Sequence, residues 1–186
     1  MNFFIFHGVY ASPNANWFPW LKSELDSEGF EVIAPVFSTP LNQSLESWLR
    51  TMEKYESKIN GETVLIGHSL GAAFILSFLE KTRSKIKAAY LVAGFHKPLD
   101  TPYDKLNKSF IDKKFDWSRI KNNCGKFYLF ASDNDQYIPL EVSRELAGNV
   151  NGELTVIHEG RHLNKEAGFE KFPQLLGSIN KLIKLI

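Results

Sequence analysis

One short motif has residue types and spacing suited to nucleophilic chemistry. The apolar run 63–66 leads into Gly67-His68-Ser69-Leu70-Gly71 and then into the apolar stretch 72–76. This order is typical of a strand, a sharp turn and a helix, the context in which G-x-S-x-G exposes a serine hydroxyl at the end of a strand. In such a turn, side chains at Gly67 or Gly71 would collide with the neighbouring strand or helix. The motif predicts Ser69 as a nucleophile.

A serine hydroxyl is a weak nucleophile and needs a base, which in turn needs an orienting acid. After a serine in such a motif, the acid precedes the histidine in the chain. His162 follows the last predicted strand in a Gly-Arg-His loop and is the candidate base. Its main rival, His158, ends an apolar run and is interpreted as a structural residue with satisfied hydrogen bonds. His7 and His68 are interpreted as structural or oxyanion-loop residues.

Two aspartates compete for the role of orienting acid. Asp133 and Asp135 both follow the fifth predicted strand, and only one of them can face His162. Asp135 precedes the segment 137–139, Tyr-Ile-Pro, which anchors the next helix and would fix the carboxylate. Asp135 is therefore the predicted acid.

The anionic intermediate of acyl transfer needs an oxyanion hole, which is usually built from two backbone N–H groups. Leu70 would donate one from the head of the helix that follows Ser69. The other would come from the loop after His7, where Gly8 lets the backbone approach the substrate carbonyl oxygen. Val9 or Tyr10 would donate it, and the sequence does not choose between them.

The elements that must position these residues follow a regular alternation. Strands are predicted at residues 3–6, 30–34, 63–66, 88–93, 126–131 and 153–158, and helices at 19–29, 44–55, 72–82, 139–147 and from 173 onward. Near-continuous apolar strands indicate a parallel sheet covered on both faces, and right-handed crossovers make it a three-layer α/β/α sandwich. Catalytic loops then belong at the carboxyl ends of the six strands, where all the candidate residues fall.

The connection 94–120 departs from this rhythm because it mixes aromatic residues with lysines, aspartates and two prolines. It is too short for a lid domain, and with Pro98 and Pro102 discounted it is expected to hold one or two helical turns. We therefore expect a shallow cleft with an aromatic lining and a preference for short acyl chains.

Composition excludes several classes of function. A chain of 186 residues can bury a core without disulfides or metals, and the net charge of +1 gives no signature for nucleic acid or an anionic membrane. The single Cys124 cannot form an internal disulfide, and no Cys/His cluster is present, so neither metal nor other cofactor is expected. The first apolar run is too short for a signal peptide or a membrane span, which predicts a cytoplasmic protein.

The chain resembles the small serine hydrolases of the α/β-hydrolase superfamily grouped with retinoblastoma-binding protein nine and its bacterial YdeN-like relatives. The resemblance is carried by His7-Gly8, Trp17-Phe18-Pro19-Trp20, the motif 67–71, the stretch 133–139 and His162. It implies a minimal α/β-hydrolase fold over residues 1–186, a single domain that lacks the usual first two strands and a large cap.

The same resemblance implies a catalytic triad of Ser69, Asp135 and His162. The chain departs from the pattern at Arg161, where many relatives have a second glycine before the histidine. A bulky residue there would narrow the site or alter how His162 is presented.

The leading hypothesis is a serine hydrolase that cleaves small carboxylic esters, or thioesters or amides, through an acyl-enzyme. The alternative is a protein-interaction module on a hydrolase scaffold, because fold does not fix function and the family name records a protein partner. A ligand of a pocket protein would carry L-x-C-x-E, whereas Cys124 lies in Asn-Asn-Cys-Gly-Lys. The missing motif and the intact triad favour the enzyme.

Overall fold

The computed structural model describes residues 1–184 and contains a six-stranded sheet. The strands are β1 (Asn2–Phe6), β2 (Glu31–Ile33), β3 (Thr63–His68), β4 (Ile86–Val92), β5 (Cys124–Ser132) and β6 (Glu153–Ile157). They lie in the order β2-β1-β3-β4-β5-β6, and each neighbouring pair is parallel. The predicted parallel sheet is confirmed.

Within the described residues there are seven α-helices, of which six lie between strands and one follows β6. They are α1 (Phe18–Ser27), α2 (Leu45–Glu53), α3 (Leu70–Lys81), α4 (Asp104–Ile111), α5 (Trp117–Asn122), α6 (Leu140–Val150) and α7 (Pro173–Ile183). No helix in residues 1–184 has the length and hydropathy that a membrane span requires.

Alternation of side chains along β1 divides the core into two layers, because successive strand residues point to opposite faces of the sheet. Phe4 belongs to the cluster that contains Phe74 of α3, whereas Phe3 belongs to the cluster that contains Leu21 of α1 and Leu175 of α7. Helices therefore cover both faces, and the predicted three-layer α/β/α sandwich is confirmed.

The central unit of the fold is β3 followed by α3. All six residues of β3 are buried, and so is every residue of α3 from Leu70 to Leu79. Alanine and leucine in this segment favour a helix, and burial on all sides fixes its axis against the sheet. The turn between β3 and α3 is thus held by a buried strand on one side and a buried helix on the other.

The connection between β4 and β5 contains two helices, α4 and α5, so the prediction of one or two helical turns is wrong. Pro102 lies before α4 and therefore does not interrupt it. The Asp104 carboxylate accepts a hydrogen bond from the Leu99 N–H (2.9 Å), and the Asp116 carboxylate accepts one from the Arg119 N–H (2.9 Å). The second bond caps the start of α5, and the first fixes the turn that leads into α4.

The strand β6 is less covered than the inner strands of the sheet. Glu153, Thr155 and Val156 are exposed. β6 is an edge strand with a partner on one side only, so an apolar residue such as Val156 does not guarantee burial.

Candidate active site

Ser69 occupies the turn between β3 and α3 in a strained backbone conformation, with φ 55° and ψ −120°. Such values are unfavourable for a residue with a side chain, and they persist only where the surroundings enforce them. The Ser69 N–H donates to the Val92 carbonyl at the end of β4 (2.9 Å), and the buried helix begins at the next residue. The serine is therefore held at the carboxyl edge of the sheet.

The two glycines of the motif allow the close approach that this turn requires. A Cβ atom added at Gly67 would lie 2.6 Å from the Ala72 nitrogen, and one added at Gly71 would overlap the Phe6 carbonyl oxygen. The predicted collisions with the helix and with the neighbouring strand are confirmed.

Asp135 and His162 form a buried pair beside this turn. The Nδ1–H of His162 donates to Oδ2 of Asp135 (2.8 Å), and the two side chains are 10% and 2% exposed. The other carboxylate oxygen, Oδ1, accepts hydrogen bonds from the N–H groups of Tyr137 (2.8 Å) and Ile138 (3.2 Å). Because the carboxylate holds the proton on Nδ1, Nε2 of His162 is left as an acceptor.

Asp133 is paired with the other candidate histidine. Its Oδ2 accepts a hydrogen bond from Nδ1 of His158 (2.7 Å), and its Oδ1 accepts one from the Glu159 N–H (2.8 Å). The hydrogen bond to His158 lowers the pKa of Asp133, and the same bond raises the pKa of His158. His158 is satisfied, as expected, but its side chain is 83% exposed. Each aspartate therefore has its own histidine.

The loop that carries His162 is tied to the rest of the fold by two buried rings. Nε2–H of His68 donates to the His162 carbonyl oxygen (2.9 Å), and the Trp17 indole N–H donates to the Leu163 carbonyl oxygen (3.0 Å). These bonds hold the backbone on both sides of the His162 peptide. His68 therefore supports the loop, which agrees with its interpretation as a structural residue.

Arg161 adopts the left-handed conformation, with φ 48°, that glycine adopts without strain. Its N–H donates to the Asn134 side-chain oxygen (2.7 Å), which stabilises the turn. Its side chain is exposed and does not line the cleft described below. The bulky residue does not narrow the site, and an altered presentation of His162 stays a prediction.

The two candidates for the second oxyanion donor differ in their hydrogen bonds. The Tyr10 N–H donates to Thr39 Oγ1 (2.9 Å) and is occupied. Within the described part of the chain, the N–H groups of Val9 and Leu70 have no acceptor. A Cβ atom added at Gly8 would lie 3.6 Å from the Leu70 nitrogen, so this loop runs beside the start of α3. The geometry favours Val9 over Tyr10.

The plane of the peptide that carries the Val9 N–H is set by His7. Nδ1–H of His7 donates to the Gly8 carbonyl (2.9 Å), and Nε2 accepts a hydrogen bond from the Phe37 N–H (3.0 Å). In a trans peptide the carbonyl and the next N–H point in opposite directions. The bond to Gly8 therefore directs the Val9 N–H away from His7. Burial lowers the pKa of His7, which favours the neutral ring that this arrangement needs.

Ser69 and His162 line a single cleft with a volume of about 270 Å³. Its large apolar side chains include Phe95, Leu99, Tyr103, Tyr137 and Ile138. Its polar side chains include Asn16, Asn164 and Glu166. Among residues 1–184 no hydrogen bond joins the Ser69 hydroxyl to His162, and catalytic bonds of this kind often tighten only when a substrate binds.

A comparison with known families agrees with this geometry. Residues 3–181 match the family described as serine hydrolase. The chain belongs to this family. The serine hydrolase is 34% identical to the YdeN protein of Bacillus subtilis (strain 168), over 91% of this chain and 90% of YdeN. It is 26% identical to the serine hydrolase RBBP9 of Rattus norvegicus, over 74% of this chain and 73% of RBBP9.

Solved structures also resemble the serine hydrolase. The crystal structure of the ydeN gene product from B. subtilis has a TM-score of 0.92 at 31% identity and covers 98% of each chain. A methylesterase from Arabidopsis has a TM-score of 0.72 at 15% identity, covers 100% of each chain and shows the fold alone. The family resemblance and the α/β-hydrolase fold expected from the sequence are confirmed.

Sequence reasoning missed several residues that position the site of this serine hydrolase. Thr39 lies in a loop without a recognisable motif, and only its contact with Tyr10 identifies it. Asn134 lies between the two candidate aspartates, and its side-chain oxygen accepts a hydrogen bond from the loop that carries His162. A polar residue flanked by two candidate acids was the one signal in the sequence that could have drawn attention to it.

The serine hydrolase should lose stability in acid because it buries a neutral histidine. Burial lowers the pKa of His68 from 6.5 to about 3, so between these values protons bind preferentially to the unfolded chain. Stability is then complete above pH 6.5 and declines as the pH falls towards the folded-state pKa. From about pH 7.5 to about pH 5, urea titrations should show a loss of up to about 2 kcal/mol from this group.

The His68→Gln variant is the matched control because the amide can still donate a hydrogen bond but does not titrate. Its free energy of unfolding should fall less than that of the wild type over the same pH interval. An equal fall in both proteins would show that His68 does not carry the effect.

Proposed function

We propose that this serine hydrolase cleaves small carboxylic esters through an acyl-enzyme. Ser69 is the nucleophile, His162 the general base and acid, and Asp135 the orienting acid. Leu70 and Val9 supply the oxyanion hole from their backbone N–H groups. Thioesters and amides pass through the same tetrahedral chemistry and are the nearest alternative substrates.

One observation carries the proposal, namely the convergence of the proposed nucleophile and base on one cleft. Ser69 and His162 line the same cavity, and the buried Asp135 carboxylate accepts the Nδ1–H of His162 from behind it. Nucleophile, base and acid come from three separate loops at the carboxyl edge of the sheet. This arrangement supports acyl transfer better than a binding role, because binding alone does not require an oriented imidazole.

In the acylation step, Ser69 Oγ attacks the ester carbonyl carbon while Nε2 of His162 takes the hydroxyl proton. The carbonyl oxygen becomes an oxyanion and accepts hydrogen bonds from the N–H groups of Val9 and Leu70. Within the described residues, neither N–H group donates to another protein atom. The imidazolium is stabilised by the Asp135 carboxylate. The intermediate then collapses, the alcohol leaves with the proton from His162, and the acyl group stays on Ser69.

Deacylation repeats these steps with water as the nucleophile. His162 takes a proton from the water molecule, the oxyanion forms again in the same hole, and Ser69 leaves with the proton returned by His162. The free acid is the product and the enzyme is regenerated.

The proposal is tested by measuring kcat/KM of the purified protein for aryl esters and for thioester and amide counterparts with the same acyl group. Ester turnover that saturates with substrate and is lost in Ser69→Ala is the expected result. If none of the three classes turns over, the acyl-transfer proposal is wrong and the interaction module becomes the better reading of the fold.

Short acyl chains should be the better substrates. The apolar wall of the cleft ends at Tyr103 and Tyr10, which are 37% and 64% exposed, so a growing chain soon reaches solvent. Each buried methylene contributes about 0.8 kcal/mol, or roughly fourfold in kcat/KM, and a methylene in water contributes nothing. Among acetate, butyrate, octanoate and palmitate esters of one leaving group, the maximum should fall at acetate or butyrate.

A pair of variants separates the wall of the cleft from the general surface. Leu99 lines the cleft, so Leu99→Ala should reduce the preference for butyrate over acetate. Leu41 is 81% exposed and lies outside the cleft, so Leu41→Ala should leave this preference unchanged. A maximum at octanoate or beyond would contradict the prediction and would indicate that α4 and the residues around it cover a longer chain.

A further inference from the structure

A chain of hydrogen bonds runs from the loop of the oxyanion hole to helix α4. The Tyr10 N–H donates to Thr39 Oγ1 (2.9 Å), and the Thr39 hydroxyl donates to Gln43 Oε1 (2.7 Å). Gln43 Nε2 in turn donates to the Leu106 carbonyl oxygen (3.0 Å) and to Asn107 Oδ1 (3.1 Å). The Gln43 side chain therefore joins Thr39 to two successive residues of α4.

These hydrogen bonds hold Tyr10, whose own packing is sparse and includes one edge-to-face contact, with the Tyr103 ring. Tyr10 has φ 55°, an unfavourable value for a residue with a side chain, and its side chain is 64% exposed. Little buried surface opposes the relaxation of this backbone. The hydrogen bond from its N–H to Thr39 is the polar contact that fixes the conformation.

The conformation of Tyr10 matters because the preceding residue is the proposed oxyanion donor. The peptide before Val9 is oriented by His7 through the Gly8 carbonyl, and the peptide after Val9 is oriented by Thr39 through the Tyr10 N–H. With both flanking peptides fixed, the dihedral angles of Val9 are determined. If the second anchor is lost, the Val9 N–H can turn away from the carbonyl oxygen of the substrate.

The far end of this series of hydrogen bonds lies in the wall of the cleft. Asn107 is 4% exposed, lines the cavity that contains Ser69, and accepts the hydrogen bond from Gln43. Gln43 itself does not line this cavity. Helix α4, which contributes to the wall of the cleft, and the loop of the proposed oxyanion hole are therefore joined by a residue that does not line the cleft.

We propose that Gln43 is a positioning residue for the oxyanion hole, acting through Thr39 and Tyr10 to aim the Val9 N–H. The inference rests on the proposed acyl-transfer function. It assigns to Gln43 an effect on transition-state stabilisation rather than on substrate affinity. Thr39 belongs to the same unit, and its hydroxyl is the group that transmits the effect.

The test compares Gln43→Met and Thr39→Val with the wild type. Both variants should lower kcat about 10- to 100-fold with little change in KM, less than the 10²- to 10³-fold that loss of an oxyanion donor costs. Thr39→Ser keeps the hydroxyl and should retain most of the activity.

The kcat of the double variant should be no lower than that of either single variant, because the two residues act through the same series of hydrogen bonds. Thr51→Val is the matched control, since the Thr51 hydroxyl bonds only within α2.

Two readouts distinguish positioning from a general structural defect. A thionoester has a sulfur that accepts hydrogen bonds weakly, so the variants should lose less activity on it than on the oxygen ester. Amide hydrogen exchange at Tyr10 should become faster in Gln43→Met. This measurement does not depend on any substrate. Equal losses on both esters, or an unchanged kcat in both variants, would overturn the inference.

Measuring the rate at which a fluorophosphonate labels Ser69 distinguishes failure of this inference from failure of the proposed function. The tetrahedral phosphorus uses the same oxyanion hole, so labelling should slow in Gln43→Met even if no ester in the panel is a good substrate. Equal labelling rates in wild type and variant would refute the role of Gln43 and leave the nucleophile in place. A wild-type protein that neither labels nor cleaves would overturn the proposed function, and this inference with it.

Discussion

Ser69→Ala should abolish covalent labelling by a fluorophosphonate and lower ester turnover by about 10⁵- to 10⁶-fold. The reagent forms its bond with a serine oxygen that has given up its proton, and alanine has no such oxygen. The strained turn and the glycines on either side of it are unchanged by the substitution, so the fold should persist. Labelling followed by mass spectrometry, circular dichroism and kcat/KM for an aryl butyrate provide the three measurements.

Ser77→Ala is the matched control for this experiment. Ser77 lies in the same helix, α3, is fully buried, and has a hydroxyl without a hydrogen-bond partner among the described residues. The control should label and turn over like the wild type. Labelling of Ser69→Ala at an undiminished rate would remove Ser69 from the role of nucleophile.

The candidate site was accessible from the sequence because its residues follow the ends of strands. Ser69 lies in a motif that specifies its own turn, and parallel strands bring their carboxyl ends to one edge, where Asp135 and His162 also lie. The apolar runs sufficed to place the strands along the chain and to predict helices on both faces of a parallel sheet. The predicted boundaries differ from the observed ones by up to three residues, as at the end of α6, which the sequence predicts at 147 and which lies at Val150.

The parts that could not be predicted depend on contacts between distant residues. The choice of Val9 over Tyr10 depends on Thr39, which is 29 residues away from Tyr10 in the chain. The support that His68 gives to the His162 carbonyl spans 94 residues. A pattern of residue types contains no signal for such pairs. The helices α4 and α5 escaped prediction because they are short, with 8 and 6 residues, and α4 begins without a side-chain cap.

Asp135→Asn should reduce kcat/KM by up to about 10⁴-fold, whereas Asp133→Asn should reduce it by less than about tenfold. The reason lies in the second oxygen of Asp135, which accepts hydrogen bonds from the N–H groups of Tyr137 and Ile138. In the asparagine variant the amide oxygen must take these two donors, so the NH₂ group faces Nδ1 of His162. The ring then carries its proton on Nε2 and cannot accept one from Ser69.

The comparison with Asp133→Asn is informative because the two aspartates have the same kinds of hydrogen-bond partner. Each accepts a histidine Nδ1–H on one oxygen and backbone N–H donation on the other, but the histidine partner of Asp133 is exposed and does not line the cleft. The asparagine at position 133 can keep the bond from the Glu159 N–H and loses only a surface contact. Steady-state rates of the two variants with one aryl ester decide the assignment. A larger loss in Asp133→Asn than in Asp135→Asn would transfer the role of orienting acid to Asp133.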